Sequence, residues 1–464
     1  MGQEAQNHTV QYDGASPMKG HMFSRRHFLT LVGATTAMAT LAACTVVSSV
    51  PPSEAGTSQA GADQPAPDAA ARELIYWNDL TGPDGEIQMA MTESYNQEAG
   101  KEAGIHITFE AYPGDELFTK VLATYSAGSP IDIFRGSSDQ AALLFGEGAI
   151  VSLDAAAAEA SFDWSDFFEA PLNDFVFEGN RFAIPQEVSN YTIFYNTDQP
   201  AAAGLDSATF PTDRDGFIEW AQAVTKFDGD TMTVAGLGVP GSGNITYRWW
   251  FQTLYQNGGV LIDEEAMVAS FNNEAGIGAA QFLVDSFDTY KIANRGILDH
   301  RAAFMNQQSS CITDGSWMIA AFEEQEGLAF NSAVVPQIGT ERPAGYSITG
   351  AGMILKHKND DAARVNDAFH YLSWLSQNPE WNVAVPSVPV RKSVAELPEM
   401  QNVPYMKPFI DMVAVGVSAP RLSSYGEIQS RIVEILDTVW SGDTPVEEGI
   451  AKAEEAVNSI LASA

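Results

Sequence analysis

Leu74–Trp77 (LIYW), Ile105–Phe109 (IHITF) and Ile131–Phe134 (IDIF) are three short runs with the apolar, β-prone character of buried strands. Between them lie residues 86–99, with apolar side chains four positions apart, and Leu117–Ser126, also of helical character. The order strand–helix–strand–helix–strand is typical of parallel strands joined by right-handed crossovers. This segment therefore predicts an α/β fold.

The alternation continues along the chain. A further strand is predicted at Tyr191–Tyr195, and helices are predicted at 213–226, 246–257, 274–290, 361–376 and 427–439. The 464 residues allow two or three domains, and 45% hydrophobic residues are enough for a large core.

The residues before the first strand have the character of an export signal. Residues 24–29 read SRRHFL, and an apolar run follows from Leu29 to Ala43 that is too short to span a bilayer. A basic segment, a short apolar segment and small residues at its end form a signal peptide. Residues 1–43 thus resemble a twin-arginine signal, which exports folded proteins.

The apolar run ends in LAAC at residues 41–44, which resembles a bacterial lipobox. Cleavage before Cys44 would leave a lipidated cysteine that anchors the chain to the outer face of the cytoplasmic membrane, at the cell surface or in the periplasm. Residues 44–71 are rich in Ser, Pro, Ala and Gly and predict a flexible linker.

The charge of the chain excludes general nucleic-acid binding. It has 60 acidic and 24 basic residues, for a formal net charge of −36. Residues 1–43 hold three basic and two acidic side chains, so the acidic excess belongs to the exported part. Nucleic-acid binding needs basic side chains at phosphates. The charge instead favours a soluble monomer, and two cysteines are too few for a disulfide framework.

Motifs for catalysis, metals and cofactors are weak. The sequence lacks a nucleophile elbow, a zinc-protease motif and a phosphate-binding loop, and its histidines are dispersed. Gly236–Gly241 matches a dinucleotide-binding pattern, but the next helix is predicted to start too late to meet a pyrophosphate. We therefore expect no catalytic residue, no metal and no cofactor. Carboxylates near predicted strand ends leave a glycoside hydrolase open: Asp79, Asp132, Asp139, Glu187 and Asp314.

Polar and aromatic residues at the predicted strand ends suggest a binding cleft. Asp79, Thr81, Ser137 and Asp139 follow the first and third strands, where ligands bind in open α/β sheets. Sugars offer hydroxyls and an apolar face, which suit such groups together with aromatic rings. The candidate rings are Trp249, Trp250 and Trp317, of which the first two point to opposite faces of one helix.

Several motifs, in order, resemble the bacterial extracellular solute-binding proteins of ABC importers, family 1, the sugar-binding and maltose-binding-protein-like kind. They cover the chain from Leu74 to the C-terminus. They are Ala127–Ile133, Gly179–Pro185, Tyr195–Asp198, Phe210–Thr212, Gln256–Gly259, Asp314–Trp317, Ala362–Leu375 and Pro386–Arg391.

The resemblance implies a type II periplasmic-binding-protein-like α/β fold with two lobes, each a mixed sheet flanked by helices, joined by hinge crossings. The N-terminal lobe would take residues 72–188 and 347–400, and the C-terminal lobe 189–346 and 401–464. Crossings are expected near 184–190, 346–352 and 398–403. Ligand contacts to both lobes would stabilise a closed state.

The resemblance also implies the function of a substrate-binding lipoprotein that captures a carbohydrate and delivers it to membrane permease subunits. The cleft residues it suggests are Asp79, Thr81, Ser137, Asp139, Asn190, Tyr191, Trp317, Thr349, Gly350 and Tyr425. Trp249, Trp250 and Arg391 are added from their residue types alone.

One departure from the family pattern affects the ligand. Gly136 stands where the family has a stacking aromatic residue, which would widen the pocket. Few basic residues lie near the predicted cleft, which favours a neutral sugar. The alternatives are a binding protein for another solute (a polyol, a glycerophosphodiester or a peptide) and, less strongly, a surface glycoside hydrolase.

Overall fold

The computed structural model of the chain describes residues 71–359, 361–378, 382 and 387–463. The predicted signal sequence, its cleavage site and Cys44 lie outside the described residues. The predicted linker, 44–71, also falls outside them except for its last residue.

The strands form two main sheets and two small hairpins. Their bounds are β1 (Arg72–Asn78), β2 (Ile105–Ala111), β3 (Ile133–Gly136), β4 (Val176–Phe177), β5 (Asn180–Arg181), β6 (Ala183–Asn190), β7 (Thr192–Asn196), β8 (Lys226–Asp228), β9 (Thr231–Leu237), β10 (Ile262–Asp263), β11 (Val268–Ala269), β12 (Ser309–Asp314), β13 (Phe330–Ala333), β14 (Gly345–Ile354), β15 (Val388–Pro389) and β16 (Gly416–Val417). The seven-stranded sheet has the order β15-β6-β14-β3-β1-β2, with β16 paired to β14. The five-stranded sheet has the order β13-β7-β12-β9-β8.

Helices pack around both sheets. The longer ones are Pro83–Gln97, Gly114–Ser126, Ser138–Gly146, Arg214–Val224, Asn244–Gln256, Glu274–Asp288, Ala362–Gln377, Tyr425–Trp440 and Val446–Leu461. The shorter ones are Ala99–Ala103, Asp154–Glu159, Glu169–Asn173, Asp198–Ala202, His300–Met305, Ile319–Glu324, Lys392–Ala395, Pro398–Gln401 and Lys407–Met412. The predicted long helices are confirmed within a few residues at each end. Helix Val446–Leu461 was not predicted.

The seven-stranded sheet has the mixed character expected for a lobe. β1 pairs in parallel with β2 and β3, as the opening segment predicts, whereas β14 runs antiparallel to both β3 and β6. Since β1 and β3 are parallel, their carboxyl ends meet at one edge of the sheet. Asp79 and Ser137 follow directly at that edge.

The chain passes from one sheet to the other through a single residue. β6 ends in the seven-stranded sheet at Asn190, β7 starts in the five-stranded sheet at Thr192, and Tyr191 lies between them. The backbone N–H of Tyr191 donates to the carbonyl of Tyr346, near the start of β14. The two strands predicted as crossings therefore lie side by side here. The predicted crossing near 398–403 falls on helix Pro398–Gln401, and its role stays a prediction.

Candidate functional site

A cavity of about 290 Å³ lies between the two sheets, at the carboxyl ends of β1 and β3. The seven-stranded sheet and its loops supply most of its wall, and the turn after β12 supplies the opposite side. The lining residues are Asp79, Leu80, Asp84, Arg135, Gly136, Ser137, Gln140, Glu187, Val188, Ser189, Ser316, Trp317, Ile348, Thr349, Gly350 and Ser387.

A buried arginine forms the centre of the polar wall. Arg135, the third residue of β3, is only 5% exposed, and its guanidinium group forms ion pairs with Asp79 and Glu187. Asp79 lies just beyond β1 on one side, whereas Glu187 lies on β6, two strands away on the other side. Burying a charge is tolerated only when it is paired. The three side chains therefore form one unit.

Gly350 allows this unit to form. It lies on β14 opposite Glu187, between β6 and β3, so the Arg135 side chain crosses over it. A Cβ atom at position 350 would lie 2.5 Å from Nη2 of Arg135. The absence of a side chain at this position thus gives the guanidinium group room to reach Glu187.

The polar wall carries more acid than base. Asp79, Asp84 and Glu187 line the cavity, against the single guanidinium group of Arg135. Burial raises the pKa of Glu187; Arg135 opposes the rise, and the charges of Asp79 and Asp84 add to it. Because Arg135 already pairs with two carboxylates, it leaves no free cation on this wall for an anionic ligand.

The turn after β3 presents Ser137 to the cavity through a helix cap. Ser137 is the N-cap of helix Ser138–Gly146, and its backbone N–H donates to Oε1 of Gln140 at 3.1 Å. Its hydroxyl donates to Asp139 at 2.5 Å. A Cβ at Gly136 would lie 2.5 Å from both Oε1 of Gln140 and the Phe134 ring. The missing aromatic side chain at 136 is therefore replaced by neighbours that already fill the space.

A second buried carboxylate supports the wall from behind. Thr349, which lines the cavity, donates its hydroxyl to Asp174 at 2.6 Å, and Ser418 donates to the same oxygen at 2.7 Å. Burial raises the pKa of Asp174 to about 6, although these two hydrogen bonds and the charge of Arg421 oppose the rise. Asp174 thus connects β14 to the segment after β16.

Trp317 provides an aromatic surface on the opposite wall. It is 41% exposed and lies in the short 3₁₀ helix that follows β12. A Cβ at Gly315 would lie 1.9 Å from the Trp317 ring, so the ring folds over this glycine. The fully buried Asp314 anchors the turn through hydrogen bonds from Arg301, at 2.6 and 2.9 Å, and from His300.

Burial alone would raise the pKa of Asp314. The hydrogen bonds from His300 and Arg301, together with the charge of Arg301, outweigh burial and hold the pKa below its ordinary value. The carboxylate therefore stays ionised and keeps the turn under Trp317 in place.

The family model described as bacterial extracellular solute-binding protein matches residues 90–408. This range covers more than half of the chain and includes all strands of the two main sheets except β1 and β16, together with most of the cavity wall.

The chain belongs to the bacterial extracellular solute-binding proteins.

Individual relatives of this solute-binding protein are distant. It is 26% identical over 229 residues to an arabinooligosaccharide-binding protein of Halalkalibacterium halodurans, across 48% of this chain and 47% of the relative. The match thus spans about half the length of that relative. A cyclic alpha-maltosyl-1,6-maltose binding protein from Arthrobacter globiformis shares its fold with a TM-score of 0.74 at 22% identity, over 85% of this chain and all of the other.

A second similar structure holds a different kind of solute. UgpB from Mycobacterium tuberculosis, in complex with glycerophosphocholine, matches with a TM-score of 0.70 at 17% identity, over 85% of this chain and 99% of the other. These likenesses confirm the type II periplasmic-binding-protein fold predicted from the sequence.

The structure brings five of the predicted ligand-binding residues together in the cavity lining: Asp79, Ser137, Trp317, Thr349 and Gly350. Two others lie one contact away, since Asp139 accepts the hydrogen bond from Ser137 and Tyr191 packs against Trp317.

Two further predicted residues lie outside the lining. Thr81 is exposed, in the segment after β1. Asn190 is 1% exposed and structural in its contacts: it donates to the carbonyl of Phe409 and accepts from the hydroxyl of Ser347.

Four predicted residues lie buried, away from the cavity lining. Trp249 and Trp250 are 1% and 0% exposed in the core beside the five-stranded sheet, so both faces of their helix are buried. Tyr425 is 3% exposed and shares a hydrogen bond with Tyr247. Arg391 is 6% exposed, where it pairs with Asp166 and donates to a serine hydroxyl.

Sequence reasoning missed the centre of the site. The strand-end rule does not reach Arg135, because Arg135 lies inside β3, and it reaches Glu187 only as one of five carboxylates near predicted strand ends. Arg135 is the single basic side chain among the described residues that line the cavity, in agreement with the expectation of few basic residues near the cleft. The position of Arg135 inside a buried strand is the signal that could have identified it. All four residues of β3 are buried, and a buried charge requires an acidic partner.

The part of the chain that the structure describes holds neither a metal-binding cluster nor a membrane-spanning helix. There, histidine, cysteine and acidic side chains form no cluster of three or more that could hold a metal ion. In the same residues, no helix combines the length and apolar character needed to cross a membrane.

Proposed function

We propose that this solute-binding protein is the substrate-binding component of an ABC importer and captures a neutral carbohydrate between its two lobes. One observation carries the proposal: the cavity has hydroxyl and carboxylate groups on one wall and the half-exposed ring of Trp317 on the other. Sugar hydroxyls suit the first wall, and the C–H face of a sugar ring suits the second.

The charge of the cavity separates this proposal from its main alternative. A glycerophosphodiester carries a phosphate, which requires a free basic group or a set of backbone donors. The guanidinium group of Arg135 is committed to Asp79 and Glu187, and the remaining charged groups of the lining are acidic. The lining therefore favours a neutral solute over an anionic one.

The likeness to oligosaccharide-binding proteins supports the same substrate class. The curated relative is described as binding an arabinooligosaccharide, and the similar Arthrobacter structure as binding a cyclic maltosyl-maltose. In this proposal the chain performs no chemistry. It acts as a monomer, and the predicted lipid on Cys44 would hold it at the outer face of the membrane beside the permease.

A thermal-shift screen tests the proposal. A ligand that binds only the folded protein raises its melting temperature by mass action. We expect neutral oligosaccharides, tested as arabinooligosaccharides and maltooligosaccharides, to raise it, and glycerophosphocholine and dipeptides to leave it unchanged. A rise only with glycerophosphocholine or only with a dipeptide would instead support the alternative that the protein binds a solute other than a sugar. Release of reducing sugar from a bound oligosaccharide would support a hydrolase.

A further inference from the structure

Trp317 contacts a tyrosine that lies outside the cavity. The Trp317 and Tyr191 rings meet edge to face, with centroids 5.4 Å apart and planes at 76°. Tyr191 meets Tyr346 in the same way, at 5.6 Å and 74°. Such edge-to-face contacts depend on the orientation of each ring. The position of Tyr191 therefore constrains how Trp317 faces the cavity.

Arg248 also contacts this tyrosine. It lies on helix Asn244–Gln256, and its Cζ atom is 4.2 Å from the centroid of the Tyr191 ring and 5.2 Å from that of Tyr346. Among the described residues, no carboxylate lies within 4 Å of its guanidinium nitrogens. The partners of this charge are thus the ring of Tyr191 and Tyr346, whose hydroxyl also accepts a hydrogen bond from Arg248.

The helix gives Arg248 a rigid base. Its neighbours Tyr247 and Trp249 are each 1% exposed and fixed in the core. A cation held over an aromatic face and shielded from water is attracted to the ring more strongly than one at an exposed site. Removing the cation should therefore release the Tyr191 ring, while the core around the helix stays packed.

We propose that Arg248 is a positioning residue for ligand capture: it fixes the Tyr191 ring and, through it, the face that Trp317 presents to the cavity. This inference rests on the proposed function for its effect on affinity, but not for its effect on Trp317. Since Tyr191 is the residue between β6 and β7, the same contact also links the aromatic wall to the passage between the sheets.

The test combines a spectroscopic measurement with a binding measurement. The whole chain is labelled with 5-fluorotryptophan, and its nine tryptophans give fluorine resonances of which Trp317 is assigned by its loss in Trp317→Phe. Arg248→Met removes the charge but keeps a long side chain, and Arg248→Lys keeps the charge. Arg342→Met is the matched control, because Arg342 lies over Tyr255 at 5.9 Å and does not line the cavity.

We expect Arg248→Met to shift or broaden the Trp317 resonance and to weaken binding of the oligosaccharide found in the thermal-shift screen about tenfold. Arg248→Lys should restore part of both, and Arg342→Met should change neither. An unmoved Trp317 resonance in folded Arg248→Met overturns the inference, whether or not a sugar binds. A shifted resonance with wild-type affinity overturns the link to capture. If no sugar binds at all, the proposed function fails, and the resonance alone decides the positioning role.

Discussion

The two walls of the cavity are built on different principles. The wall on the seven-stranded sheet is a charge network in which Arg135 joins Asp79 and Glu187 across neighbouring strands. The wall beside the five-stranded sheet is aromatic, and in it the rings of Trp317 and Tyr191 meet edge to face. The first depends on electrostatic pairing between elements far apart in sequence, and the second on packing.

This difference determines how each wall should respond to substitution. This network is sensitive to the loss of Arg135, because the Glu187 side chain is only 15% exposed and would keep its charge without compensation, whereas Asp79 is partly solvated. A half-exposed ring contributes contact area, and its loss leaves nothing unpaired. Substitutions in the polar wall should therefore lower both the stability of the fold and the affinity for the ligand. Substitutions in the aromatic wall should lower the affinity and leave the stability almost unchanged.

The largest combined effect on stability and binding is expected for Arg135→Met, which leaves Asp79 and Glu187 without their counter-ion. We expect the free energy of unfolding to fall by about 3 kcal/mol and oligosaccharide binding to be lost. Urea unfolding and calorimetric titration measure the two quantities. The control is Arg181→Met, since the pair of Arg181 with Asp154 is about one-third exposed and should cost less than about 1 kcal/mol. Equal losses in the two variants would contradict the special role of the buried network.

A smaller effect on binding is expected for Trp317→Ala. Loss of its aromatic face should weaken oligosaccharide binding about tenfold while changing the free energy of unfolding by about 1 kcal/mol or less. Trp250→Ala is the contrasting variant, because Trp250 is fully buried and its loss should cost about 3 to 5 kcal/mol of stability. If calorimetry gives wild-type affinity for Trp317→Ala, the ring of Trp317 does not contribute to ligand binding.

The smallest effect on binding is expected for Asp174, behind the polar wall, whose substitution should instead change the pH dependence of stability. Its pKa is raised from 3.8 to about 6 by burial, so the folded state binds this proton more tightly than the unfolded chain does. The resulting stabilisation is complete below pH 3.8 and is lost as the pH rises through about 6. Asp174→Asn should lack this dependence.

The comparison is made by measuring the free energy of unfolding at several pH values from 4 to 7. The wild type should gain on Asp174→Asn as the pH falls. Asp163→Asn is the control: hydrogen bonds from Ser165 lower the pKa of the exposed Asp163, so its contribution has the opposite sign. A constant difference between the wild type and Asp174→Asn would show that the proton of Asp174 is not coupled to folding.

Much of the fold was predictable because it depends on local patterns. The alternation of apolar runs gave β1, β2 and β3 and their parallel pairing, and helical spacing gave most of the long helices. The C-terminal helix was missed although Val446, Ile450 and Val457 recur at helical spacing and are buried in it.

The site was only partly predictable, for a physical reason. Asp79 and Ser137 follow strands, and the strand-end rule finds such residues without knowing their neighbours. The pairing of Arg135 with Glu187 depends on strand order, because β14 is inserted between β3 and β6 from a distant part of the chain. Trp249 and Trp317 have the same side chain, and only packing against the rest of the fold separates a core ring from an exposed one.

The chemistry of Cys311 has a practical consequence. It is the one cysteine among the described residues, lies fully buried on β12, and donates its thiol to the carbonyl of Gly236 at 3.3 Å. Burial raises the pKa of this thiol, so it reacts poorly with alkylating dyes. A cysteine introduced at the exposed Thr81 would be the reactive thiol of this domain. One fluorophore there would make the protein a reagentless sensor for its own solute, without any need to remove the native cysteine.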